Sequence, residues 1–129
     1  MKKILIIFLF CLAIMFNSSY AANTITRSPS VGAGVINLVL DSDWTWSTTF
    51  PDAKDGIEVN YIIFHPGATS DVLVLRAESD TGPYYFPPAA AYDAEFDIIL
   101  YCNWQSMKLH IDYDTSTLSA GHVIIIQFR

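Results

Sequence analysis

His110, Asp112 and Asp114 recur at every second position of the chain. In an extended strand that spacing sends all three side chains from one face, where an imidazole nitrogen and carboxylate oxygens can share a divalent ion. This is the chain's metal candidate, set beside the plainer reading of a polar row running into a turn at 113–116. No Asp-x-Asp-x-Asp-Gly loop occurs, so a calcium loop of that kind is not expected. Asp93, Glu95 and Asp97 repeat the spacing. Carboxylates about 5 to 10 Å apart serve glycoside hydrolysis, but one of them needs an apolar pocket to stay protonated. These residues offer no such pocket, and an exposed acidic row is the expectation. Ser119, His122 and Asp112 are the residue types of a nucleophilic triad, yet nothing in their spacing brings them within reach of one another.

The aromatic residues supply a different chemistry. Trp44 and Trp46 flank Thr45, which in a strand puts both indoles on one face, and Tyr84 and Tyr85 add further ring area. Flat rings stack on the apolar faces of sugars while carboxylates and amides take hydroxyl hydrogen bonds, so a glycan platform is the carbohydrate-binding reading. Core packing is the competing expectation for each indole.

No Gly-x-Ser-x-Gly, His-Glu-x-x-His, Walker, Cys-x-x-Cys or Gly-x-Gly-x-x-Gly pattern is present. With no catalytic signature and no cofactor motif, the expectation is a protein that is not an enzyme and carries no cofactor. A metal-dependent or carboxylate-based hydrolase ranks last. Thirteen acidic against seven basic residues give a net charge of −6. Such a chain lacks the basic surface that phosphate-backbone binding needs, so no nucleic-acid partner is expected.

Met1-Lys2-Lys3 followed by the apolar run 4–16 and the small-residue stretch 17–22 reads as a secretory signal peptide, cleaved after Ala21. Thirteen apolar residues span only about 20 Å as a helix, short of the roughly 30 Å hydrocarbon core, so no stable membrane insertion is expected after cleavage. The two-lysine start fits a bacterial leader, and the expected destination is the periplasm, cell surface or medium. Without residues 1–21 the basic count falls to five and the net charge to −8. Cys102 is then the single remaining cysteine, which excludes an intramolecular disulfide. Its apolar neighbours Ile99, Leu100, Tyr101 and Trp104 favour a buried strand position; an intermolecular disulfide is the alternative.

Positioning these residues falls to short strands. Segments 24–27, 35–40, 44–48, 57–64, 72–78, 84–86, 96–103, 108–112 and 123–128 are rich in Val, Ile, Tyr and Phe and separated by Gly, Pro, Asp and Ser clusters. Residues 89–91 suit a brief helical turn. In 57–64 the period of two puts Ile57, Val59, Tyr61 and Ile63 on one face. The pattern predicts an all-β fold: one antiparallel β-sandwich, jelly-roll or immunoglobulin-like, over residues 22–129.

Alternation lapses at 98–100 and 123–126, as in strands covered on both faces by a second sheet or by another chain. The closing run 123–128 is expected in the middle of a sheet, because natural edges are protected. With Cys102 and Phe128 as interface candidates, the reading is an exported, non-enzymatic structural or interaction module. Self-association or a protein partner in a surface or envelope assembly leads, and a carbohydrate-binding module is the alternative.

Overall fold

Among the described residues the chain is mostly β, almost without helix, and its sheets are antiparallel. A computed structural model describes residues 22–30 and 33–129; the expected signal segment 1–21 lies outside the described residues. The elements are β1 (Thr24–Ser30), β2 (Ala33–Val39), β3 (Trp44–Thr45), α1 (Trp46–Thr49), β4 (Ile57–His65), β5 (Val72–Leu73), β6 (Leu75–Ala77), β7 (Ala89–Ala90), β8 (Ile98–Met107), β9 (Leu109–Ile111) and β10 (Val123–Phe128). Five strands form a sheet in the order β1-β2-β10-β4-β8, three form β3-β9-β6, and β5 pairs with β7.

Both larger sheets feed one apolar cluster. Ile36 and Leu38 of β2, Ile62 and Phe64 of β4, and Ile124 and Ile126 of β10 meet Trp44, Leu75, Leu109 and Ile111 of the smaller sheet. The apolar residues alternate along β10, with Ile124, Ile126 and Phe128 buried and Val123, Ile125 and Gln127 half-buried, as a strand with two unlike faces requires. β10 lies between β2 and β4, in the middle of its sheet. Phe128 closes the core at its end, 4.6 Å centroid to centroid from Phe50 and edge-on to it. Gly34, its partner on β2, makes room: a Cβ there would come within 2.4 Å of the Phe128 ring.

Several elements differ from the sequence expectation. In β4 the face changes midway. Against β10 the register jumps from Gln127↔Tyr61 to Phe128↔Val59, so Asn60 is an extra residue. A bulge of this kind reverses which side chains face inward. Ile57 and Val59 therefore point to the core together with Ile62 and Phe64, while Tyr61 and Ile63 turn outward. Against β8 the same irregularity places Cys102, Asn103 and Trp104 opposite Asn60, with Asn103 and Trp104 at φ 51° and 61°.

The segment 44–48 is a strand for two residues only. Trp46 opens the single-turn helix α1, closed by Phe50 N–H donating to the Trp46 carbonyl at 2.8 Å. The segment 72–78 is divided between β5 and β6, and only Tyr84 of 84–86 makes a β-bridge, to Arg76. Ala89 and Ala90 form β7 rather than a helical turn, because they find partners in Leu73 and Val72. β8 begins at Ile98, not 96. The Asp93 carboxylate accepts the Glu95 N–H at 2.9 Å and holds 93–95 as a turn. No helix among the described residues is long and apolar enough to cross a membrane.

Candidate functional site

The register of the small sheet lines up its polar residues on the face away from the core. Thr45 of β3 pairs with His110 of β9, His110 pairs with Arg76 of β6, and Arg76 bridges to Tyr84. The flanking residues Trp44, Leu75, Leu109 and Ile111 point the other way, into the core. Alternation on three neighbouring strands thus builds a row Thr45–His110–Arg76–Tyr84, with Asp112 one step along β9's exit and Asp43 just before β3.

Within this row the metal candidate of the sequence separates. Asp112 is buried, and its Oδ2 accepts a 2.8 Å bond from Arg76 Nε while Oδ1 accepts the Thr115 N–H at 3.1 Å. Burial pushes its carboxyl upward, but the Thr115 and Arg76 hydrogen bonds and the Arg76 charge outweigh that and hold it below its ordinary value. The bond to Asp112 in turn raises Arg76 above its ordinary value. Arg76 also donates to the Gly82 carbonyl and the Tyr84 hydroxyl, and its guanidinium lies 4.2 Å over the Tyr84 ring. Asp112 is therefore committed to an ion pair and not available as a ligand beside His110. Asp114 is exposed in the turn that follows. Among the described residues no three His, Cys, Asp or Glu side chains gather in a metal-binding group.

His110 has a different companion. Its side chain is 7% exposed; Nδ1 is 2.8 Å from the Thr45 hydroxyl, and Nε2 is 3.5 Å from Asp43 Oδ2. That last contact does not meet hydrogen-bond geometry, leaving Nε2 buried without a partner among the described residues. Asp43 is firmly placed. Its Oδ1 accepts the Tyr113 N–H at 2.7 Å, and Asn23 pins the 41–43 turn by accepting from the Asp41 and Ser42 N–H groups and donating to the Asp43 carbonyl. Sequence reasoning missed Asp43 because it lies 67 positions from His110; only the β3–β9 pairing brings them together.

The two indoles of the aromatic platform are not at the surface. Trp44 is 1% exposed and Trp46 nearly as enclosed, with Nε1 donating to Thr49 Oγ1 at 3.0 Å and to the Ala53 carbonyl at 2.7 Å, respectively. Large rings with a satisfied polar tip are what a small core absorbs best. Tyr85 is half-buried, its hydroxyl accepting the Lys108 N–H, while Tyr84 is exposed but covered on one face by Arg76. The other exposed aromatics are Tyr92, Phe96 and Tyr101.

The two interface candidates are also interior. Phe128 faces the core, with Arg27 at 5.2 Å over its ring, and Cys102 is 5% exposed, burial pushing its thiol up to about 11. Neither side chain lies at the surface of the chain.

The triad residues are tied up elsewhere. Ser119 Oγ donates to Asp71 at 2.6 Å rather than to His122. His122 Nε2 accepts the Leu40 N–H at 2.9 Å, so Nδ1 carries the proton it donates to the Ser119 carbonyl at 2.8 Å. These groups line a depression of about 400 Å³ with Val39, Asp41 and Tyr113, but its imidazole has no free nitrogen. Asp93, Glu95 and Asp97 are exposed and lie ahead of β8, the first two in a turn, rather than aligned on a strand face.

The outer face of the five-stranded sheet carries the other feature. Tyr61 pairs with Tyr101 and Ile63 with Ile99, and these four line a shallow apolar depression of about 230 Å³. Ile99 is 47% and Tyr101 68% exposed. At its border His65 and Asp97 pair at 2.6 Å. β8 is an edge strand, not a central one, and among the described residues no second sheet covers the side of Ile99 and Tyr101 to explain the lapse of alternation at 98–100. No family model, curated protein or solved structure matches this chain.

Proposed function

We propose that the protein is an exported, non-enzymatic structural or interaction module: a β-sandwich of the five- and three-stranded sheets that self-associates through β8 and the outer face beside it. The observation that carries this reading is the uncovered apolar surface of Tyr61, Ile63, Ile99 and Tyr101 on an edge strand. The ten residues of β8 include no charge and no proline, the devices that normally guard an edge. The opposite edge, β1, has both, in Arg27 and Pro29. A second copy suits the surface because the carboxylates beside it already have partners within the chain, Asp97 in His65 and Glu58 in Arg129, leaving little free charge to select an unlike partner. Antiparallel pairing of two β8 strands about Leu100 keeps like faces together, sets Ile99 of one copy opposite Tyr101 of the other, and joins the two depressions. The signal-like residues 1–21 support export.

The test is the solution mass of the purified protein by light scattering behind size exclusion. The expected result is a defined oligomer that Ile99→Lys converts to monomer with an unchanged circular dichroism spectrum. A monomer at all concentrations, or an oligomer indifferent to Ile99→Lys and Tyr101→Lys, overturns the reading.

A further inference from the structure

The row on the small sheet carries an inference independent of self-association. We propose that His110 Nε2 and Asp43 Oδ2 form a binding site for a divalent transition-metal ion of the zinc class, with solvent completing the coordination. The two donors stand 3.5 Å apart, outside hydrogen-bond geometry. A tetrahedral zinc about 2.0–2.2 Å from each of two donors separates them by about 3.3–3.6 Å. The observed spacing is thus that of two ligands on one ion.

The surroundings fit the same role. Nε2 is a buried nitrogen left without a partner, and a lone pair facing a carboxylate is repulsive unless a cation or a proton stands between them. Nδ1 is held at 2.8 Å from Thr45 Oγ1, which can accept its proton and fix the tautomer that leaves Nε2 free to ligate. The carboxylate is oriented in turn through its other oxygen, by the Tyr113 N–H at 2.7 Å. The Asp43 side chain is 38% exposed, which opens the site to solvent on one side. Two protein donors of mixed nitrogen and oxygen type favour zinc-like ions over magnesium or calcium, which take mainly oxygen. This site replaces the His110–Asp112–Asp114 arrangement: Asp112 is engaged by Arg76, and Asp114 lies in an exposed turn.

Calorimetric titration of the full protein with Zn²⁺ alone, with Mg²⁺ and Ca²⁺ in parallel, tests the proposal. One saturable equivalent of Zn²⁺ is expected, with no comparable heat from the other two. Asp43→Asn and His110→Ala should each weaken binding at least tenfold. Thr45→Val should weaken it by about 10–100-fold, as loss of a ligand's supporting partner does, while Asp114→Asn leaves it unchanged. Should His110→Ala fail to fold, Asp43→Asn still decides, because its amide oxygen can keep the Tyr113 bond. Nitrogen NMR of the imidazoles gives an independent readout: Zn²⁺ should shift His110 Nε2 and leave His122, whose nitrogens are both occupied, in place. No Zn²⁺ binding, binding that survives both ligand variants, or a shift confined to His65 overturns the proposal.

Discussion

Asp71 is the most heavily used carboxylate among the described residues, and its removal has a calculable cost. It is 1% exposed; Oδ2 accepts the N–H groups of Gly67, Ala68 and Ser119 at 2.9, 3.2 and 3.0 Å, and Oδ1 accepts the Ser119 hydroxyl at 2.6 Å. It therefore ties the 66–71 turn to the loop before β10. Asp71→Asn keeps the shape and one acceptor oxygen but removes the charge. A hydrogen bond to an ionised group contributes about 1 kcal/mol more than a neutral one, and relief of carboxylate burial offsets part of four such differences, giving a loss of about 2 kcal/mol. Asp71→Ala leaves the donors unpaired and should cost about 4 kcal/mol. Urea unfolding at neutral pH measures both. Burial raises the Asp71 carboxyl, but the bonds from Ser119, Gly67 and Ala68 prevail and hold it below its ordinary 3.8. A lowered folded value means that the charge-dependent stabilisation is complete above the unfolded value and fades as pH falls from there through the folded one. The gap between wild type and Asp71→Asn should accordingly close below about pH 4. A loss under about 0.5 kcal/mol for Asn, or a gap that widens in acid, refutes the reasoning.

Cys102, with its thiol pushed up to about 11 by burial, should react with a disulfide reagent roughly two orders of magnitude more slowly in the native than in the unfolded protein. The solution mass should not change with reductant. Trp44→Ala should lower stability by about 3–5 kcal/mol in denaturant unfolding, the signature of a core residue; a loss below about 1 kcal/mol would return that indole to the surface. Gly56 has φ +99°, and a Cβ there would lie 2.5 Å from the Met107 carbonyl oxygen. Gly56→Ala should therefore cost at least about 2 kcal/mol by thermal unfolding, whereas Gly121→Ala, strained in φ but with open space around its Cβ, should cost less.

The all-β character was legible because Val, Ile, Tyr and Phe runs between turn residues have few other solutions, and β4 and β10 appear nearly where the pattern puts them. What a period of two could not reveal was the bulge at Asn60. Nothing about an asparagine between Val59 and Tyr61 marks an extra residue; the irregularity exists only in the partner strands' register. One residue of slip reassigned Tyr61 and Ile63 from core to surface, and so turned half of an expected apolar interior face into the exposed depression. Trp46 shows the same dependence on context. Thr45 is the last extended residue of β3, and with the chain turning into α1 the second indole is carried into the core by a helix rather than along a strand.

The polar row marks a second boundary of sequence reading. Spacing along one strand suggests His110, Asp112 and Asp114 on one face, but a ligand set is chosen across strands, not along them. Arg76 sits beside His110 on β6 and takes Asp112, while the turn before β3 supplies Asp43. Arg76 is engaged by Asp112, Gly82 and Tyr84, and the basic group beside Asp43 is the His110 imidazole. The small sheet thus holds one buried carboxylate, Asp112, against a guanidinium, and one part-exposed carboxylate, Asp43, with only an imidazole beside it. Asp112 has its guanidinium already, so the unassigned charge is the one beside His110 Nε2, and that is where an added cation would do most to complete the row.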